Sequence, residues 1–216
     1  MPSSNELSHW SLQDLLPDPV DQAVETELKK LEGAVSELEA MRPSMTAQIP
    51  QEAFAKVLAT LETIKGCMRR LQAYAALWFS EDTQNEAALN LRDRLDRALV
   101  GLGNRSLFFD IWFKELPEDA AKRLIAGSGD MRYALESTRR FKPYTLSEME
   151  EKLLNLKDVN GIIALVNLYE MITNEFTFTL ELAGEKKSLS RDALSSYFFN
   201  SSADIRQAAT VELPSP

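Results

Sequence analysis

The sequence predicts a mainly α-helical protein, made of a long antiparallel helical hairpin and a helical bundle that carries one small β-hairpin. Glycine is scarce, with eight residues in 216. Apolar residues recur at spacings of three and four along most of the chain, which is the pattern of amphipathic helices. Only one stretch alternates with a period of two, the pattern of a strand.

The first half of the chain contains the two longest helical patterns. One runs from Val20 to Met41, and "RPSMTAQIP" interrupts it with Pro43 and Pro50. The other runs from Phe54 to Trp78. A short connection between two apolar seams predicts an antiparallel αα-hairpin. The expected inward residues are Val24, Leu28, Leu31, Val35 and Leu38, then Phe54, Leu58, Leu61, Ile64, Met68, Leu71, Ala75 and Trp78.

Shorter helices are expected after this hairpin. The stretch "FSEDTQNEAA" predicts a break and a restart, with Ser80, Asp82 or Thr83 as the N-cap. The next helix would turn leucines inward and end at "GLGN", residues 101–104. Those leucines are Leu91, Leu95, Leu99 and Leu102. Further helices are expected near residues 117–126, 130–140, 145–157, 161–173, 190–199 and 202–213.

The strand pattern lies in "EFTFTLELAGEKKSLS". Apolar side chains alternate with polar ones there, and Gly184 suits a turn before a short return strand. A β-hairpin at about residues 175–190 is therefore expected, with its apolar face on helices because an isolated hairpin is marginal in water. We expect a long-helix region at residues 1–116 and a bundle with the hairpin at 117–216, together forming one compact unit.

Composition excludes several classes of protein. The net charge is −9, from 33 acidic and 24 basic side chains. The pairs Arg69-Arg70 and Arg139-Arg140 do not form a basic stripe, so nucleic-acid binding is not expected. No apolar run is long enough to span a membrane, and the first residues lack the layout of a secretory signal. A single cysteine, Cys67, suits a reducing compartment, so we expect a cytoplasmic protein.

The residue types that catalysis needs are mostly missing. His9 is the one histidine, whereas a zincin helix needs two in HExxH. Cys67 lies beside Met68 in a helical seam, which favours a buried, unreactive thiol. The pairs Gly101-x-Gly103 and Gly127-x-Gly129 lack a phosphate-loop context and are interpreted as helix ends. We therefore predict no catalytic, cofactor-binding or metal-binding residue in this chain.

Three glutamates, Glu148, Glu150 and Glu151, crowd into the stretch "YTLSEMEEK". A helix start explains them in two alternative registers. Thr145 as N-cap puts Glu148 at N3, with Tyr144 and Met149 as a hydrophobic staple, whereas Ser147 as N-cap puts Glu150 at N3. The weaker alternative is a metal site using Glu148 and Glu151, which would need further ligands from another helix.

An aromatic cluster lies in "RSLFFDIWFKELP". Its members are Phe108, Phe109, Trp112 and Phe113. Aromatic residues at mixed spacing in a helical chain are mostly core residues. The functional alternative is a docking surface for another chain or domain.

Four stretches resemble a known family: "WSLQDLLPD", "YAALWFSEDTQN", "RYALESTRRFKPYTLSEMEEKLLNLKDVNG" and "LYEMITNEFTFTLELAGEKKSLSRDALSSYFFNSSADIRQAA". They resemble the N-terminal region of oligoendopeptidase F-type enzymes, which are thimet-like zinc metallopeptidases. The resemblance runs from about Trp10 to Ala209. It implies a helical fold that forms part of the wall of a peptide-binding channel.

The resemblance also implies that the catalytic parts are elsewhere. In the family, the HExxH helix and the third zinc-binding glutamate lie beyond the matched region, so no catalytic residue carries over to this chain. We therefore expect no activity from it alone, zinc only in the complete enzyme, and a catalytic C-terminal domain or a separate zinc-bearing chain as partner. Short peptides would bind the complete enzyme. The alternative is a stand-alone helical interaction module, such as a homo-oligomer.

Overall fold

Three long helices form the framework of the first part of the chain: α1 (Val20–Met41), α2 (Gln51–Glu81) and α3 (Glu86–Ser106). In this computed structural model, which describes residues 11–18, 20–182 and 184–213, α1 and α2 form the predicted antiparallel hairpin. Asp18 and Asp21 lie near Tyr74, whereas Glu27 pairs with Arg70 at 2.9 Å, so helices α1 and α2 run in opposite directions. Ion pairs from Arg94 to Glu25 and from Arg105 to Glu39 place α3 parallel to α1.

Shorter helices complete the first unit. They are α4 (Phe108–Glu115), α5 (Glu118–Ala126), α6 (Arg132–Arg140) and α7 (Glu148–Asp158). Short 3₁₀ turns at Arg42–Ser44, Gly129–Met131 and Lys142–Tyr144 lie in the connections. The predicted helices near residues 117–126 and 130–140 are confirmed.

The second unit contains the β-hairpin. A π-helical segment, Val159–Ile163, leads into α8 (Ala164–Asn174). Strands β1 (Phe178–Leu182) and β2 (Glu185–Leu189) pair antiparallel, with Phe178 opposite Leu189. Gly184 adopts φ +87° in the turn, a conformation that favours glycine. Then follow α9 (Arg191–Ser196), a 3₁₀ turn (Tyr197–Phe199) and α10 (Ala203–Glu212).

The chain divides into two compact units, Met1–Val159 and Asn160–Pro216. The core of the first unit crosses residues 116 and 117, since Leu116 and Leu124 belong to the same cluster as Leu31 and Phe54. The second unit has its own small core of Phe178, Leu180, Leu194 and Ala209. The sequence predicted a different division, into regions 1–116 and 117–216. That division stays a prediction about domain organisation.

Two predicted features of α3 are wrong. Asn85 is the N-cap, and its side chain accepts hydrogen bonds from the backbone N–H groups of Ala87 and Ala88, instead of Ser80, Asp82 or Thr83. The stretch "GLGN" does not end the helix, which continues to Ser106. The buried leucines Leu91, Leu95 and Leu99 hold this region in the core, and that packing outweighs the low helix propensity of Gly101 and Gly103.

The aromatic cluster belongs to the core, as the more favoured interpretation predicts. Phe113 is fully buried and stacks between Phe54 and Phe109, with ring centroids 6.0 and 5.9 Å away. Trp112 is partly buried against the same residues. Such aromatic pairs contribute about 0.5–1.5 kcal/mol beyond their burial. Among the described residues, no helix has both the length and the hydrophobicity that crossing a membrane requires.

Candidate functional site

The start of α7 carries the three glutamates that raised the question of a site. Ser147 is its N-cap, so the second of the two registers is the observed one. The Ser147 hydroxyl accepts from the backbone N–H of Glu150 at 3.4 Å, and the Glu150 carboxylate accepts from the backbone N–H of Ser147 at 2.9 Å. This capping box satisfies two N–H groups that a helix start otherwise leaves unpaired.

The Thr145 register and its hydrophobic staple are therefore wrong. Tyr144 is 78% exposed and Met149 is 82% exposed, so the two side chains do not cover the helix start. The Glu151 carboxylate makes a further contact at this helix start, because it accepts from the backbone N–H of Leu146 at 3.1 Å. The Thr145 hydroxyl donates back to the carbonyl of Phe141 at 3.1 Å instead.

Glu148 is held by two cations. Its carboxylate accepts from Lys152 Nζ at 2.6 Å and from Arg42 Nη2 at 2.9 Å. These hydrogen bonds, that from Lys152 first, hold the pKa of Glu148 below its ordinary value. The hydrogen bond from the Ser147 hydroxyl likewise lowers the pKa of Glu150. A general acid at neutral pH needs a raised carboxyl pKa, so neither glutamate suits that role.

A small cleft adjoins Glu148. It has a volume of about 230 Å³ and is lined by Arg42, Met45, Phe108, Ile111, Trp112, Glu115 and Glu148. The Arg42 guanidinium lies over the Phe108 ring, 4.6 Å from its centroid, and also bonds Glu148. The arginine thus already has an aromatic and a carboxylate partner. The cleft is below the volume of about 300–1,000 Å³ that small-molecule sites have.

A polar clamp attaches α7 to α3. Asn104 of α3 is buried, and its Nδ2 donates to the backbone carbonyl of Lys152 at 3.3 Å. Its Oδ1 accepts from Asn155 Nδ2 at 2.8 Å. Together with Arg42 and Glu148, this clamp makes the inward side of α7 polar. Sequence reasoning missed it, because Asn104 read as part of a helix terminator.

The metal alternative gains no support from this geometry. Glu148 and Glu151 each have the partners given above, and those partners are cations or N–H groups. Across residues 11–18, 20–182 and 184–213, no group of three or more His, Cys, Asp or Glu side chains is arranged to hold a metal ion. These contacts can order the start of α7 and hold it against Arg42 and Asn104.

The other candidate residues fall in different places. His9 lies outside the described residues. Cys67 is buried in α2, and burial raises the pKa of its thiol, which makes the thiolate scarce. Gly127 is the C-cap of α5, as predicted, and Gly129 has φ +55° at the next turn. Asp96 of α3 was not singled out from sequence, yet burial raises the pKa of its carboxyl. Its position beside Leu95 in an apolar seam was the available signal.

The region that contains α7 is similar to a known protein family. A family model described as oligopeptidase F matches residues 112–178, which include α7. No curated protein matches the chain. The crystal structure of oligoendopeptidase-F from Enterococcus faecium superimposes with a TM-score of 0.68 and 18% identity, covering 89% of this chain and 38% of that chain. These findings confirm the resemblance to the N-terminal region of oligoendopeptidase F-type enzymes.

A second solved structure is less similar. It is a proposed peptidase from Chlamydophila abortus, with a TM-score of 0.49 and 16% identity, covering 94% of this chain and 34% of that chain. The chain thus spans little more than a third of the length of either solved protein.

Proposed function

We propose that this chain is the non-catalytic N-terminal helical portion of an oligoendopeptidase F-like zinc metalloendopeptidase, and that it forms part of the wall of the peptide channel. One observation, the match in fold, carries the proposal, and the family match agrees with it. The fold agrees with that of the Enterococcus faecium enzyme over 89% of this chain, and the oligopeptidase F family model matches residues 112–178 within it.

The chemistry of the chain supports a shaping role. Zinc in a peptidase polarises the peptide carbonyl and activates water, and it needs a set of ligands that includes histidine in the HExxH arrangement. The sequence has one histidine and no HExxH. The zinc ligands and the general base would therefore come from a different polypeptide segment. This chain would contribute substrate access and orientation, and alone it would not cleave peptides.

The test begins with the coding sequence around residues 1–216. A polypeptide that contains HExxH, encoded after Pro216 or by a neighbouring open reading frame, should be expressed with and without residues 1–216. We expect zinc-dependent cleavage of a fluorogenic peptide when both parts are present, and loss of most of it when residues 1–216 are removed. Cleavage by the purified chain alone, abolished by a chelator, would contradict the inactive part of the proposal.

A second function, an independent module that forms homo-oligomers, has one observation in its favour. Many large apolar side chains are exposed, including Met149 at 82% and Phe199 at 90%. Exposed apolar patches drive association. Light scattering over a range of concentrations tests this function: a stable monomer at all concentrations would argue against it.

A further inference from the structure

A groove lies in the second unit, between strand β1 and helix α10. It has a volume of about 560 Å³ and is lined by Thr179, Leu180, Glu181, Lys186, Asp204, Gln207, Ala208, Val211 and Glu212. All of these residues belong to Asn160–Pro216, so the second unit alone forms the groove. Its volume lies within the range of about 300–1,000 Å³ that binding pockets have.

One wall of the groove is the free edge of β1. In the described part of the chain the sheet has two strands, so β2 pairs with only one edge of β1. The Thr179 N–H donates to Glu212 Oε1 at 3.0 Å, and it therefore points away from β2. The direction of backbone groups repeats every two residues in an antiparallel strand, so the N–H and carbonyl of Glu181 point to the same edge. Thr179 and Glu181 thus present the backbone groups with which an added strand would pair.

The side chains of the groove are mainly acidic and apolar. Glu181, Asp204 and Glu212 supply three carboxylates, and Lys186, which lies opposite Glu181 in the hairpin, supplies one ammonium group. The groove therefore has an excess of negative charge. Its apolar surface includes Val211, which is 68% exposed. The Glu212 carboxylate already bonds the Thr179 N–H, as the carbonyl of an added strand would.

We infer that this groove binds an extended, basic segment of another polypeptide, which adds to β1 as a third strand. Strand addition to an exposed sheet edge is a common mode of peptide recognition, in which main-chain hydrogen bonds give affinity and alternate side chains give specificity. Lysine or arginine side chains of the segment pair with the carboxylates of the groove, and a carbonyl of the segment replaces Glu212 on the Thr179 N–H. This binding requires no zinc and no cleavage, so it goes beyond the proposed function.

A second copy of the chain fits the groove less well than a basic segment does. Pairing of two β1 edges would bring two acidic grooves together, and like charges that face each other across paired strands are destabilising. A basic segment has the complementary charge. Because the carboxylates of Glu181 and Asp204 lie on exposed residues, salt should weaken the binding.

Four peptides test the inference with the full chain, by fluorescence anisotropy. The probe is a dye-labelled hexapeptide of alternating valine and lysine, and a second peptide has glutamate in place of lysine. We expect the glutamate peptide to bind about tenfold or more weakly than the probe. The other two are the probe with N-methyl groups on its valine nitrogens only, or on its lysine nitrogens only.

The two methylated peptides detect strand pairing directly. Successive N–H groups of a strand point to opposite edges, so only one of the two sets faces β1. We expect one methylated peptide to bind about tenfold or more weakly than the other, because it cannot donate to the carbonyls of β1. Equal affinities of the two methylated peptides, equal affinities of the lysine and glutamate peptides, or no binding of the probe up to about 1 mM would each overturn the inference.

Substitutions locate the binding on the groove. Glu181→Lys should weaken binding of the probe about tenfold or more, because it reverses a charge beside the bound strand. Glu185→Lys is the matched control: Glu185 is also an exposed glutamate of the hairpin but does not line the groove, and its variant should bind like the parent. Equal affinities of the two variants would place the binding elsewhere and overturn the inference. These measurements use the chain alone, so failure of the zinc-dependent cleavage test disproves only the proposed function.

Discussion

Arg139 of α6 closes the C-terminal end of α4 through Phe113. Its Nη1 donates to the Phe113 carbonyl at 2.8 Å and to the Leu116 carbonyl at 3.2 Å, and its Nη2 bonds Glu118 at 2.9 Å. The last carbonyls of a helix lack partners within the helix, and a cation there also complements the helix dipole. A single side chain thus connects α6 to the C-terminal end of α4.

We expect Arg139→Met to lower the free energy of unfolding by about 2–3 kcal/mol, because charged hydrogen bonds are lost and carbonyls stay unpaired. Urea denaturation measures this. Arg140→Met is the control, since Arg140 is exposed beside it in the sequence, and its variant should stay within about 0.5 kcal/mol of the parent. Equal losses in the two variants would contradict the role of Arg139.

The Asn104 to Asn155 hydrogen bond predicts coupling between α3 and α7. Asn104→Ala and Asn155→Ala should each destabilise the chain, and the double variant should lose less than the sum, with a coupling energy of about 0.5–1.5 kcal/mol. Hydrogen exchange should accelerate across α7, residues 148–158, in the Asn104 variant. Strictly additive losses would show that the two side chains do not interact.

The capping register makes a paired prediction. Ser147→Ala removes the N-cap of α7 and should cost about 0.5–2 kcal/mol, whereas Thr145→Ala removes only an exposed hydroxyl contact and should cost less. Circular dichroism during urea denaturation compares the two variants. The reverse order would restore the register with Thr145 as N-cap.

The glycines of α3 and α5 respond in opposite directions to alanine. Gly101 lies inside α3 with open space around an added Cβ, so Gly101→Ala should stabilise the chain by about 0.5–1 kcal/mol. An added Cβ at Gly127 would displace the Gln51 side chain, which donates to the Leu124 carbonyl at 3.2 Å, so Gly127→Ala should destabilise the chain through loss of that hydrogen bond. Thermal denaturation of both variants measures these changes in stability. Destabilisation by Gly101→Ala would indicate a helix end at that position.

Acid should weaken the attachment of α1 to α3. Hydrogen bonds from Arg105 hold the pKa of Glu39 below its ordinary value. A carboxyl with a lowered folded-state pKa adds stability above its unfolded-state pKa, and that stability is lost as the pH falls through the folded-state pKa. The pair is partly exposed, so its contribution is below about 1 kcal/mol.

The variant Glu39→Gln isolates this contribution. Its free energy of unfolding should decrease less than that of the parent between neutral pH and about pH 3, since the titrating group is gone. Glu37→Gln, an exposed change on the same helix, should follow the parent. A parallel decrease in the Glu39 and parent proteins would exclude the pair as a source of acid sensitivity.

Much of the fold followed from local pattern. The approximate bounds of α1 were predicted, because its apolar seam is long and Pro43 follows its C-terminal end. The hairpin at Gly184 followed from alternation and a glycine turn. The N-cap of α3 was misplaced, since Ser80, Asp82, Thr83 and Asn85 all have side chains that can cap a helix and the local pattern does not choose among them.

The sequence by itself determined the helical class, the β-hairpin and the family resemblance, and it showed that HExxH is missing. These properties depend on residue type and spacing along the chain. Only the tertiary structure decided that α3 continues through Gly101 and Gly103, that Ser147 caps α7, and that the Asn104 side chain of α3 bonds α7. Those outcomes depend on contacts between residues far apart in sequence, such as Asn104 with Asn155, whose energies no local pattern contains.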